Sequence, residues 1–187
     1  MEIIGQKIVL RDWQEEDLKP YRLWNTDHHA WMDWDAPYFD RMPFKELSQR
    51  LDIIWSRILS GEWATPRMIM VIAEKESNRF LGVVTRYWTS QETNWMSTGL
   101  TIYDEQDWDK GFGTEAYQLW ISYLFENDPS LVRLDYWTWS GNNRMMRLGE
   151  KLGFKEEACF RKARIVKGEY YDSITMGVLR EEWESKS

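Results

Sequence analysis

A mixed α/β (α+β) fold, with a central sheet flanked by helices, is predicted by three features of this sequence. Strand-like and helix-like segments alternate along all 187 residues with no repeat, low-complexity tract or Pro/Gly-rich linker. Two stretches carry continuous apolar stripes at helical spacing. Two pairs of β-rich segments flank turn-type residues, so hairpins belong to the sheet. The order is hairpin strands, then strand–helix–strand–helix, then a closing hairpin, and a single domain spanning 1–187 is expected.

Each element follows from its own pattern. Ile3 to Trp13 alternates loosely and reads as a strand. Glu15 to Trp24 reads as a short helix, because Leu18, Tyr21 and Trp24 share a face. Residues 25–43 mix aromatics, acids and two prolines without a period, which predicts a long loop with at most a helical turn. Phe44 to Leu59 is a helix with Leu47, Leu51, Ile54, Trp55 and Ile58 in one stripe, and Gly61 is placed to end it. Arg67 to Glu74 and Arg79 to Trp88 are strands joined through Lys75-Glu76-Ser77-Asn78. Trp95 to Tyr103 is the next strand, and Thr114 to Phe125 is a second apolar-striped helix. Leu131 to Trp139 is rich in β-formers. Asn142 to Leu152 is a helix stopped by Gly153. Phe154 to Ile165 and Tyr170 to Leu179 form a hairpin around Val166-Lys167-Gly168-Glu169.

Composition excludes several classes. The hydrophobic and charged shares, 43% and 29%, are those of a folded globular chain. The apolar runs are far shorter than the ~20 residues a membrane helix needs, and no basic-then-apolar leader opens the sequence. The expectation is a cytoplasmic protein without a membrane partner. A net charge of −7 argues against nucleic acid, which needs Lys and Arg at its phosphates. One cysteine, Cys159, can form neither an internal disulfide nor a cysteine zinc cluster; it is expected as buried packing in a strand. His28 and His29 point in different directions as neighbours, so they read as ordinary loop residues, and no metal is expected. For each of the thirteen tryptophans, core or subunit interface is favoured over ligand contact.

One segment carries specific chemistry. Asp107-Trp108-Asp109-Lys110-Gly111-Phe112-Gly113-Thr114-Glu115-Ala116 leaves a strand and opens a helix. Glycines there allow close backbone approach, and the unpaired N–H groups of the first helical turn attract an anion such as pyrophosphate. A P-loop pattern is absent. Gly111-x-Gly113-x-x-Ala116 satisfies a dinucleotide fingerprint on paper. However, Asp104 to Lys110 separates it from its strand, and the chain beyond it is too short for a doubly wound domain. A coenzyme A pyrophosphate loop and a glycine-bearing helix start that binds nothing both remain.

The stretch Gly99 to Ala116 resembles the acetyl-CoA motif of the GNAT superfamily of N-acetyltransferases. The branch it resembles contains ribosomal-protein N-terminal and diamine or polyamine acetyltransferases. Asn142-Asn-Arg-Met-Met-Arg-Leu-Gly-Glu-Lys-Leu-Gly-Phe154 is similar to the family's second motif, and Ile8 to Leu18 to its first strand and helix. The resemblance implies a sheet that splays between Trp95–Tyr103 and Leu131–Trp139. It implies a pantetheine arm hydrogen-bonded near Thr101 and Tyr103, with an oxyanion site on backbone N–H groups. It places pyrophosphate on the loop formed by Trp108, Asp109, Lys110, Gly111, Phe112, Gly113 and Thr114, and turns Asn142 toward the pantetheine.

The sequence departs from the family at two chemical positions. Gly149 stands where many relatives place a general-acid Tyr, and Ser97 where some carry a Glu. The remaining proton-accepting candidates are Tyr103, Glu92, Asp35 and Asp33. The loop from Asp27 to Asp40 is the expected acceptor region. Its aspartates, with Trp31, Trp34, Tyr38 and Phe39, offer charge neutralisation and aromatic faces to a cationic amine; Asp33, Trp34, Asp35 and Tyr38 are the substrate candidates. The reading is acetyl transfer from acetyl-CoA, as co-substrate, to a small-molecule amine, a polyamine or a protein N-terminus. A CoA-binding sensor without catalysis is the alternative, and a Trp-rich module for an apolar ligand is a third. A homodimer is the expected assembly.

Overall fold

In the computed structural model, which describes residues 1–185, the first half runs β1 (Glu2–Ile4), β2 (Ile8–Arg11), α1 (Glu15–Trp24), α2 (Phe44–Ser60), β3 (Ile69–Glu74) and β4 (Phe80–Ser90). The second half runs β5 (Trp95–Ile102), α3 (Phe112–Asn127), β6 (Arg133–Trp139), α4 (Asn143–Leu152), β7 (Lys155–Val166), β8 (Glu169–Leu179) and α5 (Arg180–Glu184). Single 3-10 turns occupy Ala30–Asp33 and Glu105–Asp107. The eight strands form one sheet in the order β1-β2-β3-β4-β5-β6-β8-β7. Every neighbouring pair is antiparallel except β5 with β6. A parallel pair needs a crossover, and α3 supplies it.

The first expected strand, Ile3 to Trp13, is in fact a hairpin of β1 and β2 turning at Gly5-Gln6-Lys7. The turn docks on α3: the Glu115 carboxylate accepts the N–H groups of Gln6 and Lys7, the latter at 3.1 Å. A Cβ on Gly5 would lie 2.2 Å from that carboxylate, so the break in the strand is set by a residue more than a hundred positions away. Helix α3 starts two residues earlier than its periodicity suggests. Gly61 and Gly153 end α2 and α4 in the left-handed conformation, at φ 67° and 85°.

The sheet buries apolar residues on both faces. On one side Tyr117, Trp120, Ile121 and Leu124 of α3 pack against Leu134, Tyr136, Met176 and Val178. On the other, Tyr21 of α1 and Leu47, Leu51 and Ile54 of α2 cover Val71, Ala73, Val83 and Tyr103. A buried two-pronged ion pair, Arg11 with Asp17 at 2.6 and 2.9 Å, ties α1 to β2.

Gly149 has a steric cause. A Cβ there would lie 1.9 Å from the Tyr136 hydroxyl oxygen, and that hydroxyl donates to the Met145 carbonyl at 2.9 Å. The Tyr136 ring reaches from β6 against the backbone of α4 and leaves no room for a side chain at 149. Gly149→Ala is expected to lower stability by roughly 1–3 kcal/mol, read from urea denaturation, despite alanine's better helix propensity. Adding Tyr136→Phe in the same chain is expected to recover part of that loss. An unchanged urea midpoint for Gly149→Ala would show instead that α4 moves freely away from the ring.

Candidate active site

Strands β5 and β6 pair only through Met96–Leu134 and Ser97–Asp135 and then diverge. The wedge beyond is a cavity of about 640 Å³, lined on one side by Thr98 to Ile102 and on the other by Tyr136 to Trp139. The point of the wedge is clamped. Asp135 is fully buried, and its carboxylate accepts from the Ser97 hydroxyl, the Trp95 indole and Arg133, the last at 3.2 Å. The Thr98 hydroxyl donates to the Asp135 carbonyl at 3.0 Å, which leaves the Tyr117 phenol to donate to Thr98 at 2.6 Å.

Ladder alternation decides which backbone groups face the wedge. The Tyr103 N–H donates to the Leu81 carbonyl at 3.0 Å, so Tyr103 and Thr101 spend their backbone groups on β4. Those of Leu100 and Ile102 point into the gap. The Ile102 carbonyl already accepts the Trp108 indole N–H at 2.9 Å. The expected backbone edge therefore shifts by one residue, from Thr101 and Tyr103 to Leu100; the Thr101 residue still lines the cavity.

The glycine loop opens at the mouth of the same cavity. Asp109 and Gly111 are left-handed, at φ 60° and 87°, and Gly111 precedes the first residue of α3. The first helical bond is from Glu115 N–H to Gly111 carbonyl, at 3.1 Å. The N–H groups of Phe112, Gly113 and Thr114 come before it and form the anion-attracting first turn. Trp108, Asp109, Gly111, Gly113 and Thr114 line the cavity. Lys110 and Phe112 do not. The Lys110 ammonium pairs with Asp107 at 3.1 Å, and the Phe112 ring is buried in the core beside α3. Helix α4 instead supplies Arg144, Arg147 and Lys151 to the cavity wall, cations that the sequence reading missed. Their i, i+3, i+7 spacing, which puts them on one helical face, was the available signal. Asn142 also lines the cavity, with both ends of its amide engaged. Its Oδ1 accepts the Met145 N–H at 3.1 Å, and its Nδ2 donates to the Trp34 carbonyl at 3.0 Å.

The loop of residues 25–43 roofs the wedge. The Trp34 carbonyl accepts the Trp139 indole as well, at 2.9 Å. The Arg144 guanidinium lies 5.3 Å from the Trp34 ring centre and 4.8 Å from that of Trp108, and it pairs with Asp109 at 2.9 Å. Asp35, Trp34 and Tyr38 line the cavity. The surrounding walls crowd Asp35 without covering it. That poor hydration raises its carboxyl above the usual range, and the nearby charge of Arg41 opposes the rise.

The other candidates fall elsewhere. Asp33 is held by Lys167 and His28, each at 3.4 Å, and is not part of the cavity lining. Glu92 sits in the exposed turn between β4 and β5, where a backbone hydrogen bond and the Ser90 hydroxyl pull its carboxyl below the usual range; it makes a poor base. Tyr103 is enclosed by Tyr21, Trp31 and Phe80 in the core beneath α1 and α2, and burial pushes its phenol far up. Cys159 is exposed, not buried, because its stretch of β7 is at the sheet edge. Local desolvation, then the charges of Asp172 and Glu156, push its thiol up, which disfavours a thiolate nucleophile. Among the described residues, no group of three or more His, Cys, Asp or Glu is placed to hold a metal, and no helix is long and apolar enough to cross a membrane.

Residues 7–155 match the family described as the acetyltransferase (GNAT) domain. The chain belongs to the GNAT acetyltransferase family. Over 184 residues it is 30% identical to an SPbeta prophage-derived N-acetyltransferase, YokL, of Bacillus subtilis, covering 96% of this chain and 94% of that protein. Spermidine N-acetyltransferase from Vibrio cholerae, solved with CoA and spermine, has a TM-score of 0.73 at 16% identity, over 96% of this chain and 99% of that one. The ribosomal L7/L12 α-N-protein acetyltransferase RimL, solved with CoA, has a TM-score of 0.71 at 14% identity, over 96% and 98%. The fold is therefore the GNAT fold, and its structural neighbours include enzymes of the branch that the sequence motifs resemble.

In this GNAT acetyltransferase, a Cβ on Gly113 would stand 3.4 Å from Leu100 Cδ2 and 3.7 Å from Leu148 Cδ1, between the two walls of the mouth. Gly113→Asp puts a carboxylate where an anion is wanted. Calorimetric titration is expected to show CoA affinity falling at least about thirtyfold, roughly 2 kcal/mol, with an unchanged far-UV spectrum. Undiminished CoA affinity would place the diphosphate elsewhere.

Proposed function

We propose that this protein transfers the acetyl group of acetyl-CoA to a primary amine by direct attack with both substrates bound. The observation that carries this reading is the coincidence of three features in one cavity: the open β5 edge, the first turn of α3 and the cations of α4. An elongated molecule with an extended amide arm and a phosphorylated end fits that set. Leu100 offers the arm a strand edge, residues 112–114 offer N–H groups to the diphosphate, and Arg147 and Lys151 offer charge to the remaining phosphate. The thioester supplies an activated acetyl group when bound.

The chain's own part is to orient the amine and take its proton. Asp35 is the loop carboxylate that lines the cavity, and its raised pKa makes it a better proton acceptor than a surface aspartate. A Leu100 N–H aimed into the wedge is suited to polarise the acetyl carbonyl.

Because Asp35 must be ionised to accept a proton, kcat/KM is expected to fall as pH drops through its raised pKa. That acidic limb should lie above the ordinary carboxylate range. Asp35→Asn is expected to lose about 10²-fold in kcat/KM and to lose the limb, with acetyl-CoA affinity by calorimetry unchanged. An Asp35→Asn enzyme with the wild-type pH profile would remove Asp35 from the reaction.

A further inference from the structure

We propose that the acceptor is an amine on a body without further positive charge, the α-amine of a neutral or acidic peptide, and not a polyamine. This rests on the amine-acetylation reading above. A site for a polycation needs several unpaired carboxylates and open aromatic faces along the path of the ligand. The acceptor loop contains such groups, but the fold has already filled them. The Asp33 carboxylate is taken by Lys167, which reaches over from the turn between β7 and β8. The Tyr38 ring carries the Arg164 guanidinium at 4.6 Å from its centre, and the same guanidinium lies 5.7 Å from the ring centre of Phe39. The Trp31 ring carries Arg41 at 5.7 Å, and Trp34 shares Arg144 with Trp108.

What remains in the cavity lining for a ligand is one unpaired carboxylate, Asp35, with Arg41 and Arg164 close outside it. Asp27 and Asp40 lie outside the cavity lining, while Asp107 and Asp109 sit at the cofactor end and are paired with Arg79, Lys110 and Arg144. One ammonium can be neutralised at Asp35. Arg41, which donates to the Asp35 carbonyl, and Arg164, against the Tyr38 ring, stand just outside the cavity lining, so a second ammonium reaching past Asp35 would approach them, and like charges repel. A carboxylate at that position would meet the same groups favourably.

The test is initial-rate kinetics of the full chain with saturating acetyl-CoA and matched acceptors: the peptides Ser-Asp-Glu, Ser-Ala-Ala and Ser-Arg-Arg, and spermidine. The expected kcat/KM for Ser-Asp-Glu is at least about tenfold above Ser-Arg-Arg and spermidine, a difference of ~1.4 kcal/mol. The charge reversal Lys167→Glu, alone and with Arg164→Glu, is expected to narrow or invert that ratio. Calorimetry on each variant with acetyl-CoA reports whether the cofactor half of the site is intact. Spermidine or Ser-Arg-Arg used as well as Ser-Asp-Glu would overturn the proposal and leave amine acetylation standing. Acetyl-CoA binding with no acetylation of any of the four acceptors would overturn both.

Discussion

Two residue pairs, Met96–Leu134 and Ser97–Asp135, hold β5 against β6, and most of the functional geometry follows from their being so few. A parallel pair obliges the chain to cross over the sheet, and the crossover helix must begin beyond the carboxyl end of β5. The N-terminus of α3 therefore opens where β5 has already parted from β6. The backbone edge for an extended ligand and the helix end for its phosphates arise from one topological event, as at switch points in open α/β sheets generally. The Asp135 clamp stops the split from running to the other end. Its carboxylate is fully buried yet satisfied by a hydroxyl, an indole and a guanidinium, so burial leaves neither oxygen without a partner.

A second constraint joins the two halves of the site. Arg144 lies between the indole of the glycine loop and the indole of the acceptor loop. The Trp34 carbonyl is pinned by Trp139 on β6 and by Asn142 at the start of α4. The glycine loop and the loop of residues 25–43, the proposed cofactor and acceptor regions, thus share side chains, and the latter is held by contacts with β6, α4 and the glycine loop. An amine meeting a thioester at close range needs this kind of fixed approach.

The local part of this organisation was legible in the sequence. The Gly61 and Gly153 stops, the closing hairpin, the glycine loop and the α2 stripe all depend on residues near one another, and each is found where its pattern placed it, except that Trp55 of the stripe is exposed while Leu47, Leu51 and Ile54 are buried. The failures concern partners distant in the chain. The strand of Ile3 to Trp13 breaks because Glu115 collects the N–H groups of the Gly5 turn. Asp33 was a reasonable ligand for a cation until Lys167 reached it from the other end of the fold. Tyr103 is one residue past the end of β5, and its ring is sealed into the core with Tyr21, Trp31 and Phe80. Gly149 looked like the loss of an acid; the structure adds that Tyr136 fills the space any side chain would need. Periodicity marks faces, but it does not say which charges on a face have already been neutralised.

The absence of a side chain at position 149 and the proposed base, Asp35, fit one kind of acceptor on energetic grounds as well. A thiol has a pKa of ~8.5, so a thiolate can leave near neutral pH without a donor beside it. The harder proton is the one on the attacking amine. An α-amine, at a pKa of ~7.7–8.0, is already partly free at pH 7, whereas an alkylamine resembling a lysine, at ~10.4, is almost wholly protonated. Transfer to a carboxylate is uphill by the difference in pKa, and each unit costs about 1.4 kcal/mol. Raising the pKa of Asp35 by poor hydration shortens that climb for either amine, but the α-amine starts more than two units lower. A site with one softened carboxylate and no acid is thus best matched to an amine that is easy to deprotonate. The proposed exclusion of polycations, argued from Lys167 on Asp33 and Arg164 on Tyr38, runs in the same direction as this proton chemistry.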